Sequence, residues 1–140
     1  MPPPELSGSS TVASIQPSGH GNQAWISQTG SLNAARIVQS GALNLADTAQ
    51  FGSGSRASIQ QVGEAHIAAL LQSGNFNLAR IAQAGQGNVV YLAQRGVGNS
   101  ADVLQLGSSN YVDLSQIGDG LRAAVTQRGN GNWAIVRQGY

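Results

Sequence analysis

The sequence predicts an all-β fold of one kind: a two-sheet parallel β-solenoid whose coils are 22 residues long and made of two strands each. Three observations carry that expectation. Gln recurs at an unbroken spacing of 11, a Gly stands two residues after each repeat Gln but the last, and the positions of the unit that never carry charge alternate along the chain.

The repeat glutamines are Gln28, Gln39, Gln50, Gln61, Gln72, Gln83, Gln94, Gln105, Gln116, Gln127 and Gln138. Their glycines are Gly30, Gly41, Gly52, Gly63, Gly74, Gly85, Gly96, Gly107, Gly118 and Gly129. Five residues after Gln comes Asn at Asn33, Asn44, Asn77, Asn88, Asn99, Asn110 and Asn132, while Ser55, His66 and Leu121 take that place in the other units. With the Gln as position zero, position seven is Ala or Val, and position nine is Ile, Leu or Val except at Thr48.

An 11-residue period also suits a right-handed helical coil, so a second signal must choose. Charge placement chooses the strand. Arg36, Arg80, Asp47, Asp102 and Asp113 stand at position eight, Arg56 and Arg122 at six, and Arg95 and Arg128 at one; positions zero, five, seven and nine carry none. Side chains of a strand alternate between faces, so those four positions share one face and the charges point out. A Gly in every unit would cost a helix about 1 kcal/mol each, whereas it suits a turn that needs positive φ.

A finer period sets the coil. Position nine is Ile37, Ile59, Ile81, Val103 and Val125 in one set of units, and Thr48, Leu70, Leu92, Leu114 and Val136 in the other. Position seven is all Ala in the first set but mixes Ala with Val90 and Val112 in the second. Each coil therefore runs strand, turn, strand, turn, and strands 22 residues apart stack in parallel register at about 4.8 Å. One column should be Gln39, Gln61, Gln83, Gln105 and Gln127, and the other Gln50, Gln72, Gln94, Gln116 and Gln138. Stacked amides hydrogen-bond along the axis, which is amyloid-type stacking. A lone Gln or Asn beside Gly is ordinary turn chemistry; a column of them at fixed phase is not.

The elements follow in order. Residues 1–10, with three consecutive Pro and then Gly-Ser-Ser, read as a disordered leader. Residues 11–21 read as an irregular first strand and turn, because Ile15 falls one place off register against Gln16 and Pro17 adds a residue before Gly19. The array proper spans residues 22–140. Its last strand, from Trp133 to Gln138, keeps the pattern, and a capping unit is not recognised, so both ends are expected to offer open parallel edges for head-to-tail addition. The outward Arg36, Arg80, Asp47, Asp102 and Asp113 are expected gatekeepers against lateral association.

Composition narrows the function. With 9% charged and 5% aromatic residues and 19 Gly, the chain is short of both large core side chains and a solubilising surface. Seven basic residues against six acidic ones give no phosphate-tracking surface, which argues against nucleic acid. Enzyme chemistry is not expected: His20 and His66 have no nucleophile motif beside them, and Asp102 and Asp113 fall on opposite sheets. The spacing of His and acidic residues fits no metal, and the reading assigns no cofactor and no small-molecule substrate. Met1-Pro2-Pro3-Pro4 is not a signal peptide, and no stretch reaches the roughly 18 apolar residues of a membrane span. Trp25, Tyr91, Tyr111 and Trp133 face outward as good strand formers. The alternative function is a soluble β-solenoid binding module with an ice- or glycan-binding surface. That would want one outward column uniform in Thr or aromatic residues, and positions six, eight and ten are mixed.

The unit Gln72-Ser73-Gly74-Asn75-Phe76-Asn77-Leu78-Ala79-Arg80-Ile81-Ala82-Gln83 resembles the curlin repeat of the bacterial curli system, and the resemblance extends from Asn22 to Gln138. It implies a structural subunit of an extracellular, cell-surface amyloid fibre of a Gram-negative bacterium, secreted via the periplasm and polymerised by nucleated growth for biofilm matrix and adhesion. The partners it implies are further copies of the chain, the other curlin subunit, and the secretion and nucleation machinery at the outer membrane. Arg122, Arg128 and Arg137 near the C-terminus, with Gln-Gly-Asn motifs in both half-repeats, resemble the minor, nucleating subunit; the regular ending at Gln138 resembles the major one. The family's secretion address is Gly- and Asn-rich, whereas Met1 to Ser10 is Pro-rich here.

Overall fold

Small and branched apolar residues alternating with polar ones give each unit one buried and one exposed face, and the glycine-bearing corner between units turns the chain back. In a computed structural model describing residues 3–139, this pattern produces thirteen strands and no helix among the described residues. They are β1 (Glu5–Ser7), β2 (Val12–His20), β3 (Gln23–Ser31), β4 (Ala34–Ala42), β5 (Leu45–Ser53), β6 (Arg56–Glu64) and β7 (Ile67–Asn75). There follow β8 (Leu78–Gln86), β9 (Val89–Val97), β10 (Ser100–Ser108), β11 (Tyr111–Ile117), β12 (Arg122–Asn130) and β13 (Trp133–Gln138). Met1, Pro2 and Tyr140 lie outside the described residues, so the expected leader is described only from Pro3.

Odd-numbered strands form one sheet in the order β1-β3-β5-β7-β9-β11-β13, and even-numbered strands form the other, β2-β4-β6-β8-β10-β12. Every pair is parallel and offset by one coil, as in Ala35 beside Ala57, Ile37 beside Ile59 and Gln39 beside Gln61. The chain is thus a two-sheet parallel β-solenoid of about six turns. Its thin core holds Ala or Val at position seven against Ile, Leu or Val at position nine, for example Ala57 and Ile59 from one sheet and Val90 and Leu92 from the other. Ala13, Ile15, Ala123, Val125, Ala134 and Val136 are only partly buried, because each belongs to a layer near an edge.

The corner has two backbone requirements. Gly41 has φ 117°, and a Cβ there would overlap the carbonyl oxygen of Gly63 in the next layer, so close stacking admits only Gly. Position four is left-handed as well, filled by Gly98 and Gly131 in some units but by Leu32, Leu43, Ala65, Phe76 and Ser109 in others.

At the N-terminus the register differs from the one expected through Gln16. Along β2, Ile15 lies beside Ile37, Pro17 beside Gln39 and Gly19 beside Gly41. The Gln column thus passes through Pro17, and Ile15 stands in line with the core. Burying Ile15 fixes the register, since a one-residue slip would turn it out to solvent. Gln16 points outward, where Arg36 Nη2 donates to its Oε1 at 3.3 Å. Within the leader segment, β1 pairs with β3 and sets Leu6 beside Gln28.

Candidate assembly core and its edges

Each repeat Gln from Gln28 to Gln127 lies inside its strand on the buried face, as Gln83 does three residues before the end of β8, where its amide can reach in two directions. Gln83 Nε2 donates to Gln105 Oε1 at 2.9 Å along the axis and to Ile67 O on the opposite sheet at 3.0 Å. The same step builds a ladder Gln39, Gln61, Gln83, Gln105, Gln127 and a second ladder Gln28, Gln50, Gln72, Gln94, Gln116, Gln138. One amide therefore couples two layers and two sheets. A buried donor or acceptor without a partner costs about 1–3 kcal/mol, so a break in either column is costly to the core.

The ladders run in one direction, lower Nε2 to upper Oε1, and their first members have nothing beneath them to accept from. Gln28 Oε1 and Gln39 Oε1 are buried and unpartnered among the described residues, because Leu6 and Pro17 occupy the layer below. Thr48 Oγ1 is likewise orphaned, a hydroxyl at an apolar core position.

The asparagines sew the corners. Asn88 Nδ2 donates to Ala84 O at 3.2 Å and to Gly107 O at 2.9 Å, and its Oδ1 accepts from Asn110 N at 3.0 Å. Asn33, Asn44, Asn77, Asn99 and Asn110 are equally buried, and Asn132 is half-buried at the edge. Asn22, eleven residues before Asn33, belongs to the same set: its Nδ2 donates to Gly41 O at 3.0 Å and its Oδ1 accepts from Asn44 N. Ser55 keeps part of the pattern, with Oγ accepting from Asn77 N. Leu121 has no amide to offer and only presents its N–H to Asn99 Oδ1.

His66 is fully buried in this column. Asn88 N donates to its Nδ1 at 3.2 Å, so the ring proton sits on Nε2, which donates to Val62 O at 3.1 Å. Burial pushes its pKa below the ordinary histidine value.

Outside the core, Arg36, Arg80, Asp47 and Asp102 are exposed. Asp113 is half-buried and pairs with Arg137, Nη2 to Oδ2 at 2.7 Å. Asp47, partly desolvated beside Trp25 and Ala69, has its pKa raised. Asp102 and Asp113 lie on β10 and β11, on opposite sheets. Of the outward Trp25, Tyr91, Tyr111 and Trp133, the last three gather toward one end of the odd sheet, where Tyr111 stacks on Trp133 with centroids 4.5 Å apart and meets Tyr91 at 6.0 Å, while Trp25 lies on β3 near the other end.

A parallel solenoid whose interior is two Gln ladders flanking a thin apolar core defines a class: a cross-β stacking unit, with its order directed along one axis. The family model described as the curlin associated repeat matches residues 33–63 and 90–118, and these two repeats support the curlin family. Comparison with curated proteins gives no match.

Proposed function

We propose that this chain is a structural subunit of an extracellular curli-type amyloid fibre of a Gram-negative bacterium, secreted via the periplasm, that joins neighbouring subunits end to end by β-stacking. The observation that supports it most is the pair of Gln ladders, which reach the edge strands β12 and β13 at Gln127 and Gln138 without a break. In this reading the Gln and Asn columns and the position-nine side chains are the fibre core. The repeat glycines let the layers close up, and Arg36, Arg80, Asp47, Asp102 and Asp113 keep fibres apart. The partners are other copies, the other curlin subunit, and the secretion and nucleation machinery, in the service of biofilm matrix and adhesion. Within the family the reading leans to the minor, nucleating subunit, on the arginines Arg122, Arg128 and Arg137 and on the Gln-Gly-Asn motif of both half-repeats.

The test is incubation of the purified chain near neutral pH. A fibre subunit becomes thioflavin-positive after a lag that preformed seeds abolish. A chain that stays monomeric would instead be a soluble solenoid binding module, and the fibre proposal would fall.

A further inference from the structure

We infer that the two ends of the solenoid are unequal. The N-terminal end terminates both amide ladders, while the edge of β12 and β13 fits a strand pair that brings Gln to both ladder positions. This inference rests on the fibre reading above.

The termination is visible in the side chains. Gln28 Oε1 and Gln39 Oε1 need an amide from the layer below, and that layer offers Leu6 and Pro17, which have none to give. Both columns stop at the same level although they lie on different sheets.

The backbone repeats the message. Val12 N donates upward to Asn33 O, so alternation along a parallel strand turns the amides of Ala13, Ile15 and residue 17 toward the free edge. At that last place Pro17 has no hydrogen to offer. On the other sheet β1 is only three residues long and pairs with Ser27, Gln28 and Thr29 alone, just after Pro3 and Pro4. Short edge strands and edge prolines are the devices by which sheets refuse a further strand.

The opposite edge carries no proline and keeps Gln in both ladders, although Leu121 ends one Asn column there and β13 is six residues long against nine for β12. β12 stays in register with β10 from Arg122 to Asn130, and β13 with β11 from Trp133 to Gln138. Gln127 Nε2 and Gln138 Nε2 donate across to Tyr111 O and Arg122 O, as the repeat glutamines from Gln39 to Gln116 do to their own facing carbonyls, and their second amide hydrogen is the one that each lower Gln gives to the layer above. Asn132 follows the same corner geometry, its N–H resting on Asn110 Oδ1 as the N–H of a following layer would rest on its own Oδ1. The partner this surface recognises is therefore a parallel strand pair with Gln oxygens above Gln127 and Gln138. A second copy of this chain leads with Leu6 and Pro17 and leaves both donors uncompensated.

The experiment compares wild-type monomer with the double variant Leu6→Gln/Pro17→Gln, each added at equal concentration to sheared wild-type fibres and followed by thioflavin signal and sedimentation. The variant should elongate those seeds on the order of tenfold faster, the effect of two recovered hydrogen bonds at the joint. Seeds carrying Gln127→Leu/Gln138→Leu should abolish that advantage. Pro17→Gln alone, which restores one ladder and one outward amide, should give an intermediate rate and keeps the test alive should the double variant misfold. Variants that add no faster than wild type to working seeds overturn the inference and leave the fibre reading intact. Failure of wild type and variants alike to form any fibre sinks the fibre reading itself.

Discussion

Gln83 and Gln105 share a hydrogen bond of 2.9 Å between buried amides one coil apart, and the remaining Gln83 hydrogen ties Ile67 O on the facing sheet. Truncation at Gln83 leaves the buried Gln105 Oε1 without its donor, takes one of two acceptors from Gln61 Nε2, which keeps Leu45 O, and removes the side-chain donor to Ile67 O. A buried group left unpaired costs about 1–3 kcal/mol. Arg80, three residues away, is exposed, and its removal should stay within about 0.5 kcal/mol. Gln83→Ala should therefore slow seeded elongation and lower the denaturant midpoint of the fibre much more than Arg80→Ala. Equal effects would mean that the buried and exposed faces are assigned wrongly.

The corner glycines should divide into two grades. At Gly41 an added methyl meets the Gly63 carbonyl of the next layer, and neither backbone can move without parting the sheet. At Gly98 the φ of 69° is the left-handed value that Leu32 and Phe76 also adopt, and nothing lies within 4 Å of the added carbon. Gly98→Ala should cost about 1–2 kcal/mol of backbone strain, while Gly41→Ala should cost well beyond it. Chemical denaturation of the two variants, side by side, gives the order directly.

Acid should loosen the array at one identifiable layer. His66 accepts from Asn88 N through Nδ1, so a proton placed there would set two donors against each other. Its pKa is lowered in the fold by burial, with backbone bonds to Val62 and Gly85 opposing in part. The folded state thus binds this proton less readily than the unfolded chain. Stability is full above the unfolded value of about 6.5 and falls as pH drops through and below it. A denaturation midpoint lower at pH 5.5 than at pH 7.5 is expected for the wild type. His66→Asn, which restores the amide of the column, should remove most of that difference. Asp47, raised by desolvation, works with the opposite sign, so repeating the pair of measurements in an Asp47→Asn background isolates the histidine.

The architecture was legible because the sequence states it ten times over: the Gln period sets the coil, and the alternating difference between Ile81 and Leu92 assigns neighbouring strands to different sheets. What escaped was information written once. Gln16 beside Pro17 invites the Gln column to pass through the polar residue, yet the apolar face decides, and Ile15 pulls the column onto Pro17. Leu6 gave no sign of ending a ladder, since a leader of Pro, Gly and Ser shows no period to extend. Position four was silent for a different reason. Its left-handed turn is filled by Leu, Ala, Phe and Ser as well as Gly, because the layers on either side hold the conformation whatever the residue prefers.

Thr48 offers a gain of stability from a single methyl-for-hydroxyl exchange. It stands in a column with Ile26 below and Leu70 above, and is only 1% exposed. Its Oγ1 has no hydrogen-bond partner among the described residues, so a polar atom has left water without compensation. Val has the same shape and the same preference for a strand, and at this site it would swap an orphaned hydroxyl for a packed methyl. Thr48→Val should raise the denaturant midpoint by the equivalent of about 1–2 kcal/mol and leave the fibre spacing unchanged in diffraction. A lower midpoint would reveal a partner for Oγ1, such as a bound water inside the core, and would place a polar break in the column that otherwise runs from Ile26 to Val136.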